Sequence, residues 1–424
     1  MGLRIAVVGA GSTYTPELVE GFARRMSRLL VDELVLLDPD LERLAPVAGL
    51  TERMLERADV PTRLTVTDNQ SSALDGADFV IIQLRVGGQA ARHVDETLPH
   101  RFGVLGQETT GPGGFAKALR TVPVVLGVAE EVARRANPGA WIVDFTNPTG
   151  IVTQALLDAG ARAIGLCNVA IGIQRRLAAH YGVSPEQVAL EHVGLNHLTW
   201  ERAVRVDGVD RLPELLDREA DWLAEEMDLS ADLMRDLRAI PSYYLRYYYN
   251  RDEVLAKQRQ SRSRAEEVAD IEQGLLELYR DPTLDHKPEL LEHRGGAFYS
   301  EAAAQLIESL HLSKGDVQVV NVQNNGALPD LPASAVVEIP ARIDATGATP
   351  LPLAPLAPEL RGLVQSVKAY EELAVEAALT GDRTVAVKAL LAHPLVGRYE
   401  LARDLVAALL EANRQHLPRF GVAA

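Results

Sequence analysis

A chain of 424 residues with one cysteine cannot close an intrachain disulfide. That shortage fits a reducing compartment, and the cytoplasm is the expected location. Long hydrophobic runs are missing as well: the apolar stretches are strand-sized, so no contact with a membrane is expected. The N-terminus enters a strand directly, without the basic segment and apolar core of a secretory signal. Positive charge is in deficit, with 43 Lys+Arg against 59 Asp+Glu and a net charge of −16. Such a balance favours solubility and argues against non-specific nucleic-acid binding. An anionic small molecule would then have to be met by a few local arginines. Repeats at a solenoid period and low-complexity tracts are absent too.

The remaining composition, 47% hydrophobic and 24% charged, is that of an ordinary globular protein long enough for two domains. Residues 3–8 read as a buried parallel strand, followed by a tight turn over Gly9–Ser12, a helix over 17–30 and a strand over 33–37 that ends in Asp38. Apolar runs at 64–66, 79–82, 141–145 and 163–166 alternate with helical segments, notably 122–136 and 151–159. This alternation predicts a Rossmann-type, doubly wound parallel sheet. Past about residue 190 the pattern changes to antiparallel strands near 193 and 199–206, then a charged helical region over 213–290. Two later strands (317–322 and 335–339), a Pro-rich connection (349–358) and amphipathic helices (359–415) complete the chain. The reading is therefore an α/β protein with an N-terminal domain over 1–190 and an α+β domain over 191–424.

Gly9-x-Gly11 lies between a strand and a helix, the context a dinucleotide fingerprint needs. The first glycine permits the turn, and the second lets backbone approach a pyrophosphate at the helix N-terminus, beside Ser12. The third glycine position is Tyr14, so the fingerprint is incomplete. Asp38 at the end of the second strand suits a ribose 2′-hydroxyl and would repel a 2′-phosphate, which favours NAD over NADP. Its alternative role is that of a turn residue before Pro39. Arg85, in the loop after the fourth strand, is also expected on the cofactor.

Three further loops converge on the same carboxyl edge. Gln83–Gly88 precedes Arg92, Gln107–Gly114 is glycine-rich enough for a lid, and Asp144–Pro148 places Asn147 beside the strand ending in Cys167. Cys167 and His197 would supply one thiolate and one imidazole. Two such ligands are too few for a closed structural zinc site but leave positions open, as a catalytic metal requires. From spacing alone, a core cysteine and a core histidine remain the better reading. Five of eleven tyrosines fall within 243–249, where a helix would stack Tyr243 on Tyr247 and Tyr244 on Tyr248. Most such tyrosines pack with a wet hydroxyl, although a phenol near a divalent metal can act as a base. Arg294 sits in a glycine-flanked turn, with surface capping as its simpler role.

Several motifs in one order carry a resemblance: GAGSTYTPE (9–17), GQETTGPGG (106–114), TNP (146–148), CNV (167–169), GLNH (194–197), YYLRYY (243–248) and RGGAFYSEAA (294–303). Together they resemble the NAD- and divalent-metal-dependent glycosidases of glycoside hydrolase family 4, most of all the 6-phospho-β-glucosidase branch, over most of the chain. That family stands outside ordinary two-carboxylate hydrolysis. The resemblance implies a C-terminal domain like that of lactate and malate dehydrogenases. It implies NAD and a divalent cation, manganese, as cofactors, and a homodimer or homotetramer. It also implies a redox-assisted elimination on a (6-phospho-)β-glucoside: C3 is oxidised, C2 is deprotonated, the C1 aglycone leaves, water adds and the hydride returns. In this scheme Tyr244 is the base, Cys167 and His197 hold the metal, and Asn147 and Asn168 meet the sugar. Arg92 and Arg294 are the phosphate candidates. In α-acting relatives the residue after the cysteine is an aspartate that protonates the leaving group. The amide of Asn168 cannot, which favours β-glycosides. Ala170 replaces a common proline, and His293 a lysine frequent in this branch; the latter bears on phosphate recognition. The competing readings are an NAD-dependent 2-hydroxyacid dehydrogenase, which would need a His/Asp relay and no cysteine–metal site, and a non-catalytic NAD-binding sensor.

Overall fold

In the computed structural model, which describes residues 2–295 and 298–421, six short strands form the parallel heart of the molecule. They are β1 (Leu3–Val8), β2 (Val31–Leu37), β3 (Arg63–Thr67), β4 (Phe79–Ile82), β5 (Trp141–Asp144) and β6 (Ala163–Gly165). Helices cover both faces, so the central strands read as continuous apolar runs, and all four residues of β4 are buried. The order β3-β2-β1-β4-β5-β6 places the reversal of winding between β1 and β4, where a crevice opens at the carboxyl ends.

Two strands of the second half, β7 (Val188–Leu195) and β8 (Leu198–Val206), form an antiparallel hairpin closed by Asn196 and His197. Two-residue β9 (Val209–Asp210) and β10 (Ile240–Pro241) pair with β8. The later strands, β11 (Asp316–Gln323), β12 (Val336–Asp344) and β13 (Gly347–Pro350), do not stay with that small sheet. They extend the first sheet in antiparallel fashion from its β6 edge, with Asn321 of β11 opposite Gly165 of β6. The long helix Pro358–Thr380 packs on the helices Gly111–Arg135 and Thr149–Asp158.

Three local expectations are corrected. The first helix runs over Thr15–Ala23 instead of 17–30. Pro16 occupies its first turn, where the missing N–H costs nothing, and the chain then returns to β2 through tight turns. The helix expected over 122–136 begins at Gly111, so the glycine-rich loop is no lid. A Cβ at Gly113 would lie 2.3 Å from the Gln107 carbonyl, and one at Gly114 2.5 Å from that of Thr109. These glycines are present for close backbone packing. The tyrosine run is a 3₁₀ turn, Tyr243–Leu245, followed by the single helical turn Arg246–Tyr249. The 3₁₀ winding brings i and i+3 into line, so the observed ring pairs within the run are Tyr243 with Tyr244, at 4.2 Å, and Tyr244 with Tyr247, at 6.1 Å, and not the i, i+4 stacks.

Asp144, wholly buried at the end of β5, accepts the Thr146 N–H at 2.9 Å. Burial pushes its carboxyl up to about 8. A folded-state value above the unfolded one, about 4, means the folded protein binds the extra proton. This group's contribution to stability therefore falls as pH rises from about 4 to about 8. Replacing it with Asn should shift the stability difference in favour of the variant as pH rises across that window, as read by denaturant titrations at pH 5 and pH 8. An unchanged difference would contradict a protonated Asp144.

Candidate active site

A cavity of about 2250 Å³ opens at the carboxyl ends of the parallel strands. Gly9, Gly11, Ser12, Asp38, Arg85, Arg92, Asn147, Asn168, Tyr244 and Arg294 all line it. Ten residues scattered over nearly 300 positions thus share one wall system. Cys167 and His197 lie beneath that wall, each 4% exposed.

At one end the glycine turn is built as its sequence requires. Gly9 has φ +86°, and a Cβ there would lie 2.9 Å from the Gln83 carbonyl. The Asp38 carboxylate accepts the Gly11 N–H at 2.8 Å, so it braces the turn as well as facing the cavity. Tyr14 takes the place of the third glycine, and its ring meets Tyr299 edge-on at 6.3 Å. The close helix approach is made instead at Gly21, where a Cβ would lie 2.9 Å from the Ser300 carbonyl. Arg43 donates to the Gly11 carbonyl at 2.9 Å and to Glu272 at 3.0 Å. Arg294 also binds Glu272, at 3.0 Å, and stacks over the Tyr14 ring at 5.6 Å. The structure therefore places Arg294 near the glycine turn, whereas Arg92 lies in a different cluster. Gly296 and Ala297, inside the motif that follows Arg294, lie outside the described residues.

That second cluster is centred on Glu108. Its carboxylate takes an ion pair from Arg85, one from Lys117 at 2.7 Å and one from Arg92 at 3.2 Å. Burial alone would raise the Glu108 carboxyl, but Arg85 and the other two cations hold it well below the usual range. Burial lowers Lys117 to about 7 against the opposing pull of Glu108. Arg92 lies closer still to Glu96, at 2.7 Å, so two carboxylates share Arg85, Arg92 and a partly charged Lys117, and the small positive excess that remains suits an anionic group of a ligand. Glu108, Lys117, Arg43 and Glu272 were not singled out from sequence. Glu108 stands in a quoted motif, but only the fold shows it collecting cations from three other positions.

The thiol and the imidazole are joined through their neighbours. Cys167 follows β6 just before the helix Val169–Tyr181, where the Val169 N–H, the Asn196 amide and the Tyr299 hydroxyl oppose the rise in its proton affinity. Burial, then the charge of Glu338, pushes the free thiol well up. His197 sits in the β7–β8 turn with φ +63°, a region that costs a non-glycine residue about 1–2 kcal/mol. Its Nδ1 is tied to the Thr109 hydroxyl at 2.6 Å, which leaves Nε2 for another partner. Burial lowers the imidazole to about 4, so the ring is neutral near pH 7. Tyr244 lies flat on it, with ring centroids 3.7 Å apart and planes 11° apart. Pairing of β10 with β8 puts it there: Pro241 faces Trp200, and the Ser242 N–H donates to the Thr199 carbonyl at 2.9 Å. Burial, then neighbouring Tyr243 and Cys167, pushes the Tyr244 phenol well above its ordinary value.

Among the described residues no group of three or more His, Cys, Asp and Glu side chains is placed to hold a metal ion. The donor set fits a divalent ion with open positions all the same. A thiol with polar groups of Val169, Asn196 and Tyr299 around it, and a neutral imidazole whose Nδ1 is fixed by the Thr109 hydroxyl, are donor types that such an ion accepts. A bound cation would also relieve the high proton affinities of the Cys167 thiol and the Tyr244 phenol.

The class is settled by comparison. The family 4 glycosyl hydrolase model matches residues 4–183, and the model of that family's C-terminal domain matches residues 192–396, so the chain belongs to glycosyl hydrolase family 4. The relatives are specific. A probable 6-phospho-beta-glucosidase of Bacillus subtilis is 41% identical, covering 99% of this chain and 98% of that protein. The 6-phospho-beta-glucosidase of Thermotoga maritima, solved with NAD and glucose-6-phosphate, superposes with a TM-score of 0.93 at 37% identity, covering 98% of this chain and 99% of that one. The same enzyme has been solved with manganese, NAD+ and glucose-6-phosphate (TM-score 0.91, 36% identity, 98% and 99% coverage). A malate dehydrogenase of Plasmodium falciparum, with a TM-score of 0.54 at 17% identity, shares the fold alone, and with it the expected dehydrogenase-like architecture.

A buried, protonated thiol reacts slowly. With a disulfide reagent at pH 8, Cys167 should label only on the timescale of opening, and at once in denaturant. Immediate stoichiometric labelling of the folded protein would contradict the burial described.

Proposed function

We propose that this protein hydrolyses 6-phospho-β-glucosides with bound NAD and a divalent cation. The observation that carries the reading is the flat stack of Tyr244, which lines the cavity at the carboxyl ends of the parallel strands, on the buried His197, with the Cys167 thiol close enough to act on the phenol. The near full-length relatedness to 6-phospho-beta-glucosidases supports it.

Asp38 and the Gly9–Ser12 turn would hold the adenosine ribose and pyrophosphate of the dinucleotide. Cys167 and His197 would hold the cation. When bound, NAD reversibly accepts hydride from sugar C3 and the cation polarises the C2 and C3 oxygens, which together acidify the C2 proton. Tyr244 would take that proton, its ring orientation fixed by His197. Asn147 and Asn168 would orient sugar hydroxyls, and the Asn168 amide offers no proton to an α-leaving group. Among the cations, Arg92, Arg85 and Lys117 form the better anion site, because they share one carboxylate. Arg294, opposite Glu272 and close to Ser12, stands nearer the glycine turn. We retain both arginines as phosphate candidates, with Arg92 first. We also propose manganese as the working metal, a cytoplasmic location and a homo-oligomeric state, the last two from composition and family resemblance. A dehydrogenase reading would require net NADH formation from a hydroxy acid.

The test is hydrolysis of p-nitrophenyl α- and β-glycosides, with and without a 6-phosphate, in the presence of NAD+, Mn2+ and a reductant. The expected result is turnover of the phosphorylated β-glucoside alone, lost on chelation of metal. Cys167→Ser should remove metal-dependent turnover at least 100-fold while NAD binding stays nearly intact. Net reduction of NAD without glycoside cleavage, or full activity of the serine variant, would overturn the assignment.

A further inference from the structure

Behind the Cys167–His197 pair runs a line of buried charge that the proposed chemistry does not use. His192 of β7 is bonded on both ring nitrogens: Nδ1 lies 2.6 Å from Glu201 of β8 and Nε2 3.1 Å from Glu338 of β12. None of the three is more than 1% exposed. Two carboxylates on one buried imidazole require it to be an imidazolium; despite burial, Glu201 and Glu338 raise it to about 10. One positive charge between two negative ones leaves the array with a net charge of −1.

The remaining oxygen of Glu338 is directed at the candidate metal site. It accepts the Asn196 amide at 2.8 Å and the Asn321 amide at 2.9 Å. Asn196 is the residue before His197, and its side-chain amide opposes the rise in the Cys167 thiol's proton affinity. Asn321 lies opposite Gly165, two residues before Cys167 on β6. One carboxylate therefore ties the turn that carries the imidazole to β11, the strand that pairs with β6 two residues before the thiol, and these belong to different sheets. An apolar residue at 338 would fill the same space with less desolvation cost. A full charge kept there, bonded to His192 and to two asparagines that adjoin the Cys167 and His197 segments, calls for a role beyond packing.

We infer that Glu338, fixed by His192 and Glu201, is a positioning residue for the divalent cation, acting through Asn196 and Asn321 on the Cys167 and His197 segments and adding a fixed negative charge behind them. The inference rests on the metal role given to that pair under the proposed function. Second-shell partners of this kind are worth 10–100-fold in metal affinity.

The variant Glu338→Gln preserves shape. Its carbonyl can still accept both asparagine amides, while its NH2 can donate to a His192 that has become neutral, so the fold can be kept as the charge is lost. Asn196→Ala, at a partly exposed turn, keeps the charge and cuts the link. Mn2+ affinity is read by electron paramagnetic resonance titration without NAD or sugar, and thiolate ligation by the charge-transfer band of the Co2+ form. Each variant should bind Mn2+ about 10–100-fold more weakly, with the Co2+ band weakened or shifted. The double variant should lose less than the product of the two, because both act through one contact. Glu338→Asp should recover part of the loss. Wild-type affinity in Glu338→Gln overturns the inference, as does strict additivity of the two changes. Should Glu338→Gln fail to fold, wild-type affinity in Asn196→Ala overturns it alone. If the unaltered protein binds no Mn2+, the proposed metal role of Cys167 and His197 fails first, and this inference with it.

Discussion

The site depends on one short piece of backbone pairing. Two residues, Ile240 and Pro241, join β8 opposite Glu201 and Trp200, and Ser242 donates to Thr199 immediately afterwards. Through that register the tyrosine run starts against the β7–β8 turn, and Tyr244 can only lie on His197. The imidazole is further fixed by its hydrogen bond with the Thr109 hydroxyl and by a left-handed backbone at the turn. The proposed proton acceptor and the proposed metal ligand are thereby set in one relation before any ligand binds, which is what preorganised catalysis requires.

Buried charge surrounds this pair in an ordered way. Glu108 gathers Arg85, Arg92 and Lys117 on one flank, and Glu272 gathers Arg43 and Arg294 on the other. Glu338 and Glu201 enclose His192 behind. Cationic excess therefore faces the cavity where an anionic ligand would enter, and net negative charge lies behind the thiol and imidazole where a cation would sit. A chain of net charge −16 meets an anion by concentrating a few of its arginines, and the rest of its surface plays no part in that contact.

Much of this was legible in the sequence, for reasons that differ by residue. Parallel strands buried on both faces leave continuous apolar runs, so β1 to β6 were readable, and Gly9 had to be glycine because only glycine is at ease at φ +86° beside the Gln83 carbonyl. Asp38 was readable because its place follows from the order of strand, turn and helix, whereas the roles proposed for Cys167, His197 and Tyr244 came from the family resemblance, spacing alone having favoured core packing. What escaped depends on register between distant segments. Composition says nothing of Asn321 facing Gly165, which puts the last strands on the first sheet, nor of Glu108 collecting three cations. The glycine-rich segment 111–114 read as a lid because glycine permits flexibility. Here it permits contact, a distinction visible only once the neighbouring carbonyls are in place.

The account's central claim is that the C2–H bond of the sugar is broken by Tyr244 during turnover, because transient oxidation next to it makes that proton acidic. Turnover of a 6-phospho-β-glucoside in D2O, followed by nuclear magnetic resonance of the sugar product, tests it most directly. The account predicts deuterium at C2 of the product and none at C3, where the abstracted hydride returns. Product carrying only protium at C2, formed at the full rate, would contradict it.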